Sequence, residues 1–157
     1  MKNDWKTYAK WIALSEGVGA LAGLLTREGV KWYSQYAKKP ALTPPAAVFP
    51  IAWGLIYALM GAGAAQIDME PLSEDRTAAL RTFYLQLAAN FLWSILFFNL
   101  RAYGAAFILL TALWALIVWM TVLFFRQDRP AGAMQAPYVL WVLFAGYLNL
   151  GVWLLNR

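Results

Sequence analysis

The chain alternates between long apolar runs and short polar interruptions. Apolar runs extend over about 11–25, 46–67, 78–100, 103–125 and 136–155. A helix that crosses a bilayer needs about 20 mostly apolar residues, and roughly 17 suffice at the lower limit. The pattern predicts an all-α integral membrane protein, a five-transmembrane-helix bundle in one domain over residues 1–157, with no internal repeat. The first run is the shortest. Lys2, Lys6 and Lys10 precede it, and Ala20-Leu21-Ala22 resembles a small-residue cleavage site, so a signal peptide is the competing reading. Glu16, Gly17 and Gly19 make a poor apolar core for a leader. In a spanning helix, Gly19 and Gly23 form a small-xxx-small pair that lets backbones approach.

Local chemistry sets the predicted boundaries. Pro44 and Pro45 suit the start of the second helix, where a missing N–H costs little. Pro50 falls in its first turns, where a bend is expected. Pro71, Ser73, Glu74 and Asp75 mark a polar loop with capping residues for the third helix. Asn99 to Gly104 is a short turn, Arg126 to Pro130 ends the fourth helix, and Pro137 opens the fifth.

Composition narrows the chemistry. Hydrophobic residues make up 62% of the chain, aromatic ones 17% and charged ones 13%. Cysteine and histidine are both absent, which removes disulfides, thiolate and imidazole metal sites and the Ser-His-Asp triad. No metal site is expected. With five spans, the N-terminus and the second and fourth loops share one side, which carries seven basic residues: Lys2, Lys6, Lys10, Arg76, Arg81, Arg126 and Arg129. The other side carries six: Arg27, Lys31, Lys38, Lys39, Arg101 and Arg157. That count leaves orientation open. Acidic residues separate the sides better. All but Glu28 and the intramembrane Glu16 lie on the first side, leaving a net charge of +1 there and +5 on the side of the first loop. Glu16 is the ionisable residue deep in a span, and such residues are functional candidates by default.

The first loop, Thr26 to Pro45, is long for this chain. Lys31-Trp32-Tyr33 and Lys38-Lys39-Pro40 combine basic and aromatic groups, and three prolines predict a stiff, partly extended segment. One reading is an interfacial anchor on anionic lipid, the other a lid over the bundle mouth whose lysines attract an acidic ligand.

Inside the helices, aromatic and uncharged polar groups fall into stripes. Gln86, Asn90, Trp93, Ser94 and Phe97 lie on one helical face. Phe49, Trp53, Tyr57 and Met60 form a second stripe, and Trp141, Ala145, Leu148 and Asn149 a third. Helix–helix packing accounts for such stripes. So does a site for a flat lipophilic ligand, which needs apolar walls and a few placed polar groups.

Several spaced motifs bear on that choice. Trp32-Tyr33 is followed by Lys39-Pro40-x-x-Thr43-Pro44-Pro45 and by Phe49-Pro50-x-x-Trp53-x-x-x-Tyr57-x-x-Met60-Gly61. Then come Gln86-x-x-x-Asn90-x-x-Trp93-Ser94-x-x-Phe97-Phe98, Pro137-Tyr138-x-x-Trp141-x-x-x-Ala145-x-Tyr147-Leu148-Asn149 and Leu155-Asn156. This pattern resembles the translocator protein family, also called tryptophan-rich sensory proteins or peripheral-type benzodiazepine receptors, in its bacterial form. The resemblance covers about residues 11–156.

The resemblance implies a membrane binder or sensor for porphyrins and related lipophilic ligands, in a pocket inside the bundle under the first loop. Residues matching the family's ligand contacts are Tyr33, Pro44, Trp53, Asn90, Trp93, Ser94, Trp141, Ala145 and Leu148. Arg27, Lys38 and Lys39 are the candidates for meeting a ligand's acidic groups. In some bacterial members the tryptophans matching Trp53 and Trp141 are tied to light-dependent porphyrin breakdown, which makes them the candidate catalytic pair. Photooxidative degradation and porphyrin or sterol transport are therefore the alternatives. No resident cofactor is required, and porphyrin enters as ligand or substrate. The partners expected are membrane lipid, the lipophilic ligand and a second copy of the chain, with no nucleic acid, in a bacterial membrane. This chain departs from the family at Leu42, where most members carry an aromatic residue. A sterol pattern matches at Val30-Tyr33-Lys38, and its reversed form matches at Arg81-Phe83-Leu85.

Overall fold

A computed structural model describes residues 4–157. Lys2, counted above among the basic residues, lies outside the described residues. The elements are α1 (Trp5–Leu25), α2 (Arg27–Tyr36), α3 (Val48–Asp68) and α4 (Glu74–Ser94), which continues as a π-helical turn over Ile95–Asn99. They are followed by α5 (Tyr103–Gln127), α6 (Arg129–Ala133) and α7 (Ala136–Leu155).

Each predicted run is helical, and local caps explain where the ends differ. α1 begins six residues earlier than its apolar run, because the Asp4 carboxylate accepts from Lys6 N (3.2 Å) and Thr7 N (3.4 Å). Hydrogen bonds to Asp4 also hold its carboxyl below the usual range, that from the Thr7 hydroxyl first among them. α4 begins at Glu74 because Ser73 Oγ accepts from Arg76 N (3.1 Å), with Glu74 and Asp75 in the positively polarised first turn. Pro50 and Pro137 both sit in first turns, where the missing N–H has no intrahelical partner to lose.

The first loop is more ordered than its three prolines suggested. All three follow Tyr36, so the stretch before them is free to form α2, and only the remainder is non-helical.

Helix α5 runs through the bundle. Its buried residues include Tyr103, Ala106, Leu110, Leu113, Ile117, Met120 and Phe124, spaced alternately three and four apart. That spacing is the seam of near-parallel helices. α5 packs against α4 and α7, and α1 packs against α3. The backbones of α1 and α3 approach closely at Gly61, where an added Cβ would lie 2.6 Å from Ile12 Cα. The Gly19/Gly23 pair plays a different part: Gly19 meets the Tyr57 ring, and a Cβ on Gly23 would meet nothing within 4 Å.

Among the described residues, three stretches are long and apolar enough to cross a membrane, Val48–Asp68, Tyr103–Gln127 and Arg129–Leu155. α1 and α4 are each 21 residues long, but Lys10 and Glu16 make α1 less apolar, and Arg81, Gln86 and Asn90 do the same for α4.

Candidate functional site

The three aromatic and polar stripes converge. Between α1, α3, the C-terminal part of α4 and α7, under the first loop, lies a cavity of about 560 Å³. That is within the size range of small-molecule sites. Tyr33, Pro44, Trp53, Asn90, Trp93, Ser94, Trp141, Ala145 and Leu148 all line it. Of the basic candidates only Lys39 does. Arg27 lies exposed at the start of α2, and Lys38 is exposed where the chain passes over the end of α7.

A hydrogen-bonded belt closes the cavity floor. Tyr57 OH donates to Asn90 Oδ1 (3.1 Å), Asn90 Nδ2 donates to Tyr138 OH (2.6 Å), and Tyr138 OH donates to Gln86 Oε1 (2.6 Å). Gln86 Nε2 points on to Met60 Sδ at 3.3 Å. Buried amides and phenols are costly unless paired, and here they pair with one another across α3, α4 and α7. Asn90 therefore presents to the cavity an amide whose donor and acceptor are both engaged. Trp93 is similarly placed: its Nε1 donates to Asn149 Oδ1 (2.9 Å), and Asn149 Nδ2 donates to the Tyr103 carbonyl (2.9 Å). Trp141 differs, since its buried Nε1 has no partner among the described residues.

The walls are aromatic. Trp53 stands among four rings, with centroids 6.3 Å from Trp141 at 89°, 6.3 Å from Tyr138, 6.5 Å from Trp93 and 5.6 Å from Tyr57. Phe49 meets Trp141 edge-on at 5.8 Å. These are the offset and edge geometries that aromatic quadrupoles favour. The fourth wall is α1, where Gly19, Ala22 and Gly23 leave room by having almost no side chain.

The roof is α2 and the extended segment after it. Tyr33 packs edge-on against Phe97 and Phe98, each at 5.5 Å. Burial pushes its phenol up to about 12, with a smaller contribution from Tyr103, so it stays protonated at neutral pH. Lys39 Nζ donates to the carbonyls of Ala37 (3.0 Å) and Ser34 (3.3 Å) and lies 4.9 Å from the Tyr33 ring centroid. Its ammonium is the one charge in the lining.

Several contacts fasten the roof. Asn156 accepts from Lys38 N (2.9 Å) and donates to Lys38 O (2.8 Å), while Tyr147 OH donates to the Ala41 carbonyl (2.7 Å). Gly151 admits Pro40, whose Cβ would lie 2.5 Å from any Cβ there. Gly29 lets α2 sit directly on the π-helical turn, where a Cβ would lie 2.5 Å from the Phe98 carbonyl oxygen.

Glu16 makes no ion pair among the described residues, and it lies outside the cavity lining. Leu42 is 80% exposed and does not line the cavity.

Reading the helices one at a time did not single out Gly19, Ala22 and Gly23 as the lining on α1, nor Val30 and Ser34 above it. The Gly19/Gly23 spacing was the available signal for that wall, and it pointed to helix packing instead. The π-helical turn that carries Phe97 and Phe98 had no sequence signal.

The TspO/MBR family profile matches residues 11–154. The chain is 37% identical over 126 residues to protein CrtK of Rhodobacter capsulatus, covering 80% of this chain and 78% of that protein. It is 31% identical over 157 residues to the tryptophan-rich protein TspO of Chlorobaculum tepidum, covering 99% of both. It is 32% identical over 160 residues to the translocator protein of Bos taurus, covering 100% of this chain and 94% of that one.

Proposed function

The chain belongs to the TspO/MBR family of membrane proteins, and from that premise we propose that it binds porphyrins and related flat lipophilic molecules in the cavity beneath the first loop. The observation that carries this reading is the convergence of Trp53, Trp93, Trp141 and Tyr33 from four separate segments around one cavity of about 560 Å³. A macrocycle needs broad aromatic walls and little hydrogen bonding from its surroundings. The walls supply the first, and the self-paired belt at Asn90 makes no further demand on a ligand. Acidic substituents then belong at the roof, beside Lys39.

The same reading has five helices, α1, α3, α4, α5 and α7, crossing the bilayer. α1 matches the 21 residues of α3, about 31 Å of helix, and α4 with its π-helical turn offers about 27 Å from Arg81 to Asn99, both close to the thickness of the hydrocarbon core. The amides of Gln86 and Asn90 on α4 point inward to the belt, so they need no water in the membrane.

The test is titration of the purified protein with protoporphyrin, followed by quenching of tryptophan fluorescence. Saturable quenching is expected, weakened about tenfold or more in the Trp53→Phe, Trp141→Phe double variant. Affinity and quenching equal to those of the parent chain would sink the assignment of this cavity.

A second reading is photooxidative breakdown of the bound porphyrin. The contact of Trp53 with Trp141 at 6.3 Å favours it, because an oxidisable indole pair then lines the pigment's site. When bound, the pigment supplies the photochemistry, and the chain supplies position and exclusion of water. This reading expects a new absorbing product under light and oxygen that is lost in the same double variant. Binding with no such product leaves the protein a binder.

A further inference from the structure

A second concavity lies outside the bundle on α4, about 460 Å³ in volume and lined by Arg76, Thr77, Leu80, Arg81, Tyr84 and Leu85. We propose that it holds an anionic phospholipid, with the phosphate against Arg81 and an acyl chain running down α4.

The two arginines differ. Arg76 is committed to Asp68, donating to its carbonyl at 2.8 Å and to its carboxylate at 2.5 Å. That carboxylate also accepts from Trp11 Nε1 (2.9 Å) and has Lys10 Nζ at 3.5 Å. The Asp68 cluster is thus closed on itself and ties α1, α3 and α4 together. Arg81 is exposed and has no acidic partner among the described residues. Arg81 is therefore the charge that this groove offers. A guanidinium matches phosphate oxygens in a fork geometry and is less strongly hydrated than an ammonium.

The surface beyond Arg81 fits the rest of a lipid. Tyr84, Leu85, Ala88 and Leu92 follow it on the exposed side of α4. At about 1.5 Å per residue, Arg81 to Leu92 spans about 16 Å, which is one leaflet of hydrocarbon. Tyr84 beside Arg81 has the amphipathic character of an interfacial ring. The acidic residue closest in phase is Glu74, about 10 Å further toward the polar linker and so clear of a phosphate at Arg81.

The geometry also decides against sterol at this place. In the reversed sterol pattern Arg81-Phe83-Leu85, Phe83 has to offer its ring to the ligand. It is 0% exposed and packs edge-on against Trp11 at 5.4 Å.

The proposal rests on the membrane placement of α4 and is independent of what fills the central cavity. The test uses the full chain in micelles supplied with equal phosphatidylglycerol and phosphatidylcholine, with retained lipid counted by native mass spectrometry. Phosphatidylglycerol is expected to be retained preferentially. Arg81→Gln is expected to lower its retention about fivefold, the factor that one basic residue near an anionic surface contributes. Arg81→Lys should keep most of it. Arg126→Gln, which removes an exposed basic residue on α5, should change nothing. Equal retention of the two lipids, a Gln variant that retains as much as the parent, an equal loss in Arg126→Gln, or displacement by sterol each overturns the proposal.

Discussion

The two halves of the bundle share α1, α3 and α4 and are filled differently. In the half toward the Asp68 cluster, α3 buries Met60, Ala64 and Ile67, α4 buries Ala79 and Phe83, and α5 buries Ile117, Met120 and Phe124. In the half toward the first loop, the same α3 and α4 present Phe49, Trp53, Trp93 and Phe97 to open space. The belt of Tyr57, Asn90, Tyr138 and Gln86 marks the border between them. Large residues pack tightly on one side of that belt and stand apart on the other. Ring size therefore does not decide which half is solid. What decides it is the facing element. Opposite Phe83 stands Trp11, whereas opposite the cavity rings α1 offers Gly19, Ala22 and Gly23. Helices alone would leave the second half unfinished, and the fastened first loop covers it.

This contrast can be broken from either side. The largest effect is expected at Phe83→Ala, which opens a void in the solid half and should cost about 3–5 kcal/mol of unfolding free energy. Phe49→Ala, facing existing space, should cost less than half as much when both are measured by the same unfolding assay. Equal costs would erase the distinction between the halves. Next is the border. Tyr138→Phe leaves Asn90 Nδ2 without its acceptor and Gln86 Oε1 without its donor, at about 1–3 kcal/mol for the buried groups so orphaned. A thermal shift is the readout, and a variant as stable as the parent would show that the belt is not a structural border. Ala145→Phe places a ring in the cavity. Binding of protoporphyrin should fall about tenfold or more, equivalent to about 1.4 kcal/mol, while the melting temperature stays near that of the parent. Unchanged binding would move the ligand elsewhere. The smallest effect is at the roof. Leu42 has a φ of 70°, a left-handed conformation that costs most L-residues about 1 kcal/mol or more. Leu42→Gly relieves that strain at an exposed site and should raise stability by less than about 1 kcal/mol. A fall in stability would mean that the Leu42 side chain holds the roof down.

The grouping of the lining residues on shared helix faces was legible along the chain, whereas their assignment to a ligand site was what the family resemblance implied. Trp53, Asn90, Ser94, Trp141, Ala145 and Leu148 stand at helical spacings on three runs, and straight helices keep such spacings on one face. The helices themselves were legible because apolar length and proline position are local properties. The assignment of charge was not. Arg27, Lys38 and Lys39 were equivalent along the chain, and only Lys39 faces the cavity, because the clasp between Asn156 and Lys38 fixes how the strand crosses the end of α7. The glycines misled for a related reason. Gly61 provides the backbone contact between α1 and α3, Gly19 admits the Tyr57 ring and Gly23 borders open space, and a small residue reads the same in all three roles.

The order of residues alone dictates a membrane chain of helical runs, with aromatic and amide groups in stripes and no side chains for thiol or imidazole chemistry. Hydropathy, helical period and composition carry that much, since each depends on residues near one another along the chain. Folding added that the stripes meet around a space, that Asn90 and Trp93 spend their hydrogen bonds on the protein, and that Arg81 has no acidic partner among the described residues while Arg76 has Asp68. Those outcomes depend on what stands opposite each residue, and the elements that stand opposite come from distant parts of the chain.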